Sequence, residues 1–170
     1  YISMGITAEN LANSHSISRE QQEEFTALSH KKAIRAQDQG LFEGEIVSIG
    51  DISKDGCMRE PDMDKMSQLK PAFIETGTVT AATSSPLTDG ASSLLVCSDN
   101  HATEYGIEPL ASIVSTAVAG VAPDIMGHGP VPATKKALER AGLTLDQIDV
   151  IEMNEAFSAQ SLACLKDLDL

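Results

Sequence analysis

The hydrophobic and polar positions of this 170-residue chain follow helical spacing over several stretches. The clearest is 17–40, where apolar side chains recur near one face of a helix. Ser18 and Gln21 have the spacing of a capping box at its start, and Gly40 is suited to end it. Shorter helices are predicted at 5–12, 59–69, 98–105, 132–141 and 155–166.

Other stretches are short apolar runs, either alternating or continuous, and these predict strands. They lie at 45–49, 77–82, 91–97, 110–118 and 150–153. The last run leads directly into the helix predicted at 155–166, with Asn154 where an N-cap belongs. A residue at such a junction lies at the carboxyl edge of a sheet, where ligands of α/β proteins tend to bind. The pattern therefore predicts an α/β fold, and Asn154 is either a helix cap or a ligand-facing residue.

The charge of the chain limits its partners. A formal net charge of −13 argues against nucleic acid and membrane surfaces, because phosphate contacts need clustered Lys and Arg. No apolar run approaches the roughly 18 residues of a membrane span, and no signal peptide is recognised, so we expect a cytoplasmic location. The three cysteines and four histidines show no metal-ligand spacing, which predicts a reducing compartment and no metal site.

Asn154 is followed by Glu, Ala and Phe157, and this stretch resembles the Asn-Glu-Ala-Phe motif of thiolases, the acyl-CoA acetyltransferases and 3-ketoacyl-CoA thiolases. Further stretches resemble thiolase segments in the family's order. They are Met-Gly-x-Thr-Ala-Glu at 4–9, Ile-Ser-Arg-Glu at 17–20, Leu-Lys-Pro-Ala-Phe at 69–73, Gly-Thr-Val-Thr-Ala at 77–81 and Met-Gly-x-Gly-Pro-x-Pro-Ala at 126–133. The resemblance covers nearly the whole chain and is closest to the bacterial fatty-acid β-oxidation type.

The resemblance implies an incomplete thiolase-like α/β fold, with a mainly helical loop region and parts of the two βαβ halves. On this interpretation residues 1–76 are the thiolase loop region. Residues 77–106 end the N-terminal half, and residues 107–170 begin the C-terminal half. The family's cysteine nucleophile segment, its Gly-His-Pro and its Cys-x-Gly-Gly-Gly are not found in the sequence. We therefore expect a middle fragment of a thiolase that is inactive alone.

The resemblance also assigns site residues. Asn154 corresponds to a catalytic residue that helps to form an oxyanion hole through a held water. The substrate- and CoA-binding positions are Met4, Arg59, Phe73, Ala81, Ser85, Met126 and Phe157. Phe73 would pack on the pantetheine arm, and Ser85 and Ala81 would contact its amides. Arg59 stands one residue from the family position of an Arg near the adenine.

The implied reaction is cleavage of a 3-ketoacyl-CoA by CoA, or the reverse condensation, through a Cys acyl-enzyme and a stabilised oxyanion. The resemblance implies CoA as a substrate and no separate cofactor. The implied partners are acyl-CoA and CoA, further copies of the full-length enzyme in a homo-oligomer, and a protein of a β-oxidation complex. One alternative is a non-catalytic module for CoA binding or oligomerisation. Another is an acidic α/β domain unrelated to CoA.

Overall fold

A computed structural model describes residues 2–170, and helices dominate its regular structure. The α-helices are α1 (Met4–Ser14), α2 (Arg19–Asp38), α3 (Met63–Ser67), α4 (Asp99–Tyr105), α5 (Pro130–Ala141) and α6 (Ser158–Leu168). Short 3-10 segments cover Pro123–His128 and Leu145–Gln147. Across the described range, the helices are too short or too polar to cross a membrane.

Local sequence signals set the ends of several helices. The predicted capping box of α2 is confirmed, because the Gln21 amide donates to the Ser18 hydroxyl at 3.2 Å and the Ser18 amide donates to the Gln21 side chain at 2.8 Å. Gly106 and Gly142 end α4 and α5 with φ of +64° and +66°, a conformation that glycine adopts without steric cost. The helix predicted at 59–69 is shorter than expected and forms only as α3.

The start of α6 differs from the prediction. Asn154 is not its N-cap; Phe157 is, with extended φ and ψ of −145° and 138°. The reason is a tertiary contact, since Phe157 forms an antiparallel bridge with Ser84. The Ser158 amide donates to the Thr83 carbonyl at 3.0 Å, so this part of the backbone stays extended and the helix begins only at Ser158.

The predicted strands do not pair into a sheet within residues 2–170. Their place is taken by isolated bridges, Ile49 with Ile52, Pro71 with Thr80 and Ser84 with Phe157. A strand needs neighbours for its backbone hydrogen bonds, and the apolar runs keep much of their surface in solvent. Examples of their exposed fractions are 86% for Val47, 86% for Leu94, 73% for Val114 and 77% for Val150. These runs are apolar as predicted but lack a partner strand in the described part of the chain.

The buried core is built around α1 and α6. Its main cluster is made of small and aliphatic residues: Ala8, Leu11, Ala12, Ile17, Val79, Ala159 and Ala163. Alanines on facing sides let the two helices approach closely, and Leu11 fills the space between them with no exposed surface. A second cluster packs Val131 of α5 against Cys164 and Leu168 of α6. Helix α6 is thus covered from two sides, and its N-terminal end is fixed in position.

Candidate functional site

The N-terminal end of α6 meets the loop 83–85, and backbone hydrogen bonds join the two segments. The Ser85 amide donates to the Ala156 carbonyl at 2.9 Å, next to the bridge between Ser84 and Phe157. The Ser158 hydroxyl, which is buried, shares a 2.7 Å hydrogen bond with Thr26 of α2. These contacts hold Ser85 and Phe157 side by side although they lie far apart in the sequence.

An aromatic pair forms one wall of this region. The rings of Phe73 and Phe157 meet edge to face with their centroids 5.9 Å apart, a favourable geometry for aromatic side chains. The Phe73 ring also lies against Gly5 of α1, where a side chain would collide with the ring. Phe73 is 39% exposed and the neighbouring Met4 is 56% exposed. The pair therefore presents an apolar surface to solvent.

A buried carboxylate holds the segment that follows Phe73. Glu9 of α1 is only 7% exposed. It accepts hydrogen bonds from the amides of Thr78 and Val79, each at 2.9 Å, and from the Thr78 hydroxyl at 3.2 Å. Gly77 passes so close to this carboxylate that an added Cβ would collide with it. Glu9 thus positions the backbone that leads to the small residues at 80–85.

A second backbone contact fixes Phe73 relative to that segment. The Ala72 amide donates to the Val79 carbonyl at 2.9 Å, beside the bridge between Pro71 and Thr80. Ala81 follows directly and is exposed. Phe73 and Ala81 therefore lie on adjoining segments. The small side chains at 80–85 leave room for a ligand against the backbone.

Asn154 lies in an open groove of about 930 Å³ between α2 and the segment before α6. Ser85 lines the same groove, so the predicted oxyanion residue and the predicted pantetheine contact share one space. Other lining residues are Phe25, Lys32, Phe42 and Leu165. The lining also includes the Ser29 hydroxyl and the carboxylates of Glu152 and Glu155, so Lys32 is not its only charged side chain. Its apolar walls, amide and hydroxyls suit the apolar stretches and amides of a long ligand.

A smaller cavity of about 170 Å³ lies on the α2 side of the loop 83–85, and most of the residues that line it carry a polar group. Ser29 donates to Glu155 at 2.5 Å along its wall, and His30 also lines it. The Arg59 amide donates to the His30 ring at 3.4 Å. Arg59 therefore lies beside this smaller cavity, and it is not part of the wall formed by Phe73 and Phe157.

Met126 lies on a different element, and it lines neither the groove nor the smaller cavity. It lies in the Pro123–His128 segment, which packs on α1, and it is 48% exposed. The next residue, Gly127, is pressed against Leu11 and Gln160. The Cys164 thiol donates to the Gly127 carbonyl at 3.3 Å, and burial raises the pKa of this thiol above its ordinary value.

The structure thus brings together the segments that carry five of the predicted residues: Met4, Phe73, Ala81, Ser85 and Phe157. Asn154 joins them through the groove that it shares with Ser85. Sequence reasoning missed Glu9, which holds the backbone at 78–79 through its buried hydrogen bonds. Its signal was present, since Glu9 stands among Ala8, Leu11 and Ala12 on an apolar helix, where a carboxylate needs hydrogen-bond donors.

Comparison with protein families agrees with the motifs. Residues 1–100 match the model described as thiolase, N-terminal domain, and residues 107–170 match thiolase, C-terminal domain. A 3-ketoacyl-CoA thiolase of Saccharophagus degradans is 54% identical over 180 residues, covering 99% of this chain and 46% of the relative. A 3-ketoacyl-CoA thiolase of Enterobacter sp. is 51% identical over 178 residues, with 98% and 46% covered. The chain spans about half the length of the curated relatives it matches.

Solved structures agree with the fold as well. The Bacillus anthracis acetyl-CoA acetyltransferase superposes with a TM-score of 0.94 at 44% identity, covering 100% of this chain and 45% of the other. Human mitochondrial 3-ketoacyl-CoA thiolase in complex with CoA superposes with a TM-score of 0.90 at 38% identity, with 98% and 43% covered. The fold is therefore that of part of a thiolase, as predicted. From its motifs, its fold and these matches, the chain belongs to the thiolase family.

Proposed function

We propose that this chain forms the acyl-pantetheine-binding part of a 3-ketoacyl-CoA thiolase, an acyltransferase that cleaves a 3-ketoacyl-CoA with CoA in fatty-acid β-oxidation. The supporting observation is the junction at the start of α6, where the Phe73–Phe157 pair stands beside Ser85 and the groove that contains Asn154. CoA enters as a substrate, and the reaction needs no separate cofactor. The names of the curated relatives and the human CoA complex support this choice of ligand.

The binding residues have distinct roles in this proposal. Phe73 and Phe157 form the apolar wall for the pantetheine arm, because their rings are partly exposed and fixed by edge-to-face contact. Ser85 supplies a hydroxyl to the pantetheine amides, and Ala81 leaves space for them. Met4 and Met126 line the acyl end. Arg59 binds near the nucleotide, a role supported by its being basic in an acidic chain.

Asn154 is the catalytic residue in this proposal. Its side-chain amide can donate a hydrogen bond to an oxyanion without a change of charge. Cys164 does not serve as the acyl acceptor, since its thiol is buried and its pKa is raised, whereas the thiolate is the nucleophile. The acyl-accepting Cys and the catalytic His belong to other parts of the enzyme. This chain alone then binds CoA without turnover.

The divisions at 1–76, 77–106 and 107–170 remain part of the proposal. Each contributes to the site, through Phe73, Ser85 and Phe157 respectively. A cytoplasmic location and a partner from a β-oxidation complex belong to the same proposal. Assembly into a homo-oligomer is supported by the exposed apolar runs at 94–96 and 113–114, because exposed strand-like segments favour association.

Calorimetric titration with CoA tests the binding role. We expect the chain to bind CoA and Phe73→Ala to weaken binding at least about tenfold, since the variant loses aromatic packing as well as apolar area. Ser85→Ala should weaken binding by a smaller factor. Matched controls are Tyr105→Ala and Ser93→Ala, which change exposed residues that do not line the groove and should leave the dissociation constant unchanged. Equal affinity in all variants would contradict the assignment.

The alternative is a module for oligomerisation alone, which the exposed apolar runs also favour. Sedimentation velocity combined with the CoA titration separates the two functions. Self-association that is accompanied by CoA binding supports the thiolase proposal. Self-association of a folded chain that does not bind CoA supports the alternative.

A further inference from the structure

Two of the four histidines meet one carboxylate at the end of α6 that lies away from Phe157. The Nε2 atom of His128 lies 2.6 Å from Oδ2 of Asp167, and the Nε2 atom of His15 lies 3.2 Å from the same oxygen. The three donor atoms all lie within 4.8 Å of one another. His15 and Asp167 are 152 residues apart in sequence, so only the fold brings this cluster together.

Each side chain comes from a different element. His15 directly follows α1, His128 ends the Pro123–His128 segment, and Asp167 lies in the last turn of α6. The side chains are partly shielded, with exposed fractions of 16%, 23% and 35% in that order. The cluster is thus anchored in the core on three sides and open to solvent at the carboxylate.

The ring of His15 is oriented by a second contact. Its Nδ1 atom lies 3.1 Å from the Leu11 carbonyl oxygen and 2.9 Å from the Ser14 hydroxyl, and these contacts turn the Nε2 atom of the ring toward Asp167. With the proton on Nε2 the ring donates to the Asp167 carboxylate, and with the proton on Nδ1 it presents the Nε2 lone pair that a metal ion binds. A metal ion held between Nε2 and the carboxylate takes the place of that hydrogen-bonding proton. A ring nitrogen held by a backbone carbonyl is also the usual support of a metal-binding histidine.

We propose that His15, His128 and Asp167 form a binding site for a divalent transition metal of the zinc class. Two imidazoles and one carboxylate are ligands that such ions accept. Around tetrahedral zinc with bonds of ~2.0–2.1 Å the donors stand about 3.3 Å apart, so the donors need only modest movement from their present spacing. The exposed side of Asp167 leaves the fourth position to water.

The metal has a structural role in this proposal. It joins the end of α1 to the Pro123–His128 segment and to the end of α6. Asp167 is ten residues beyond Phe157, which places the metal roughly 15 Å from the proposed CoA site at 1.5 Å per residue. The site is therefore separate from the acyl chemistry, and its test does not depend on the thiolase assignment.

Zinc titration of the metal-free chain in competition with a chromophoric chelator tests the site. We expect one zinc ion per chain. His128→Gln and Asp167→Asn should each lower zinc affinity by ~10–100-fold or more, because loss even of a group that supports a ligand has that effect. His101→Gln is the matched control. Its ring lies against Tyr105 with centroids 4.4 Å apart, outside the cluster, and its loss should leave zinc affinity unchanged.

Cobalt binding to the unaltered chain supplies a test that needs no variant. Tetrahedral Co²⁺ held by imidazole and carboxylate gives ligand-field bands without thiolate charge-transfer bands. Thiolate bands would assign the ion to cysteine and overturn the proposal. Absence of stoichiometric zinc binding would overturn it too, as would equal zinc affinity in the cluster variants and in His101→Gln. Far-UV circular dichroism establishes that each variant is folded before its affinity is compared.

Discussion

Replacement of Glu9 by Gln tests the hydrogen bonds that hold the backbone at 78–79 in place beside the candidate site. The carboxylate accepts from the Thr78 and Val79 amides at 2.9 Å each, one to each oxygen, and is only 7% exposed. A glutamine keeps the shape but has one acceptor oxygen, so its NH₂ must face one of the two backbone N–H groups. Glu9→Gln therefore removes a charge-assisted hydrogen bond and leaves a buried donor without an acceptor.

The magnitude follows from these two losses. A hydrogen bond to a charged group contributes ~1.5–3 kcal/mol, and a buried donor without a partner costs ~1–3 kcal/mol. Part of this is offset, because the neutral amide is less costly to bury than the carboxylate. We expect Glu9→Gln to lower the free energy of unfolding by about 2–3 kcal/mol, measured by urea denaturation with circular dichroism.

Hydrogen exchange gives a local measure of the same effect. Whichever of the Thr78 and Val79 amides faces the glutamine NH₂ should exchange much faster in the variant. Glu24→Gln on the exposed side of α2 is the control, and it should change neither measurement. A Glu9→Gln chain within about 0.5 kcal/mol of the unaltered chain would refute the reasoning, since that is the range of ordinary surface substitutions. Unchanged exchange at both the Thr78 and the Val79 amides would refute it equally.

Three further predictions concern other parts of the molecule. Gly5→Ala should weaken CoA binding, because the added methyl group displaces the Phe73 ring even though alanine favours a helix. An unchanged affinity in calorimetry would contradict this. In thiol labelling, the two exposed cysteines should react quickly, while Cys164 reacts only when the chain opens; three equal rates would be inconsistent with its burial and raised pKa. Hydrogen bonds from His128 and, to a smaller extent, from His15 lower the pKa of Asp167. The carboxylate therefore stabilises the fold at any pH above its pKa in the unfolded chain, ~3.9. This contribution is lost as the pH falls through the lower pKa of the folded chain. Asp167→Asn should therefore flatten the acid side of the stability profile of the metal-free chain, and a profile identical to that of the unaltered chain would contradict this.

The sequence alone determined the features that depend on neighbouring residues. The capping box of α2 was predicted because two nearby side chains decide it, and the glycine ends of α4 and α5 are local features of the same kind. The thiolase family was recognised from ordered motifs, and the family models and relatives confirm it. The site residues that the resemblance assigns remain predictions, although the structure places several of their segments together.

The tertiary structure decided what depends on partners far along the chain. Phe157 stays extended because Ser84 pairs with it, and so the helix predicted from Glu155 begins later. Apolar runs that read as strands remain outside any sheet in residues 2–170, since a strand forms only beside another strand. The hydrogen bonds of Glu9 to the 78–79 backbone and the contact of His15 with Asp167 join residues that lie tens to more than a hundred positions apart. Spacing along the sequence carries no information about such contacts, because only the packing of α1 against α6 and the neighbouring segments brings these side chains within bonding distance.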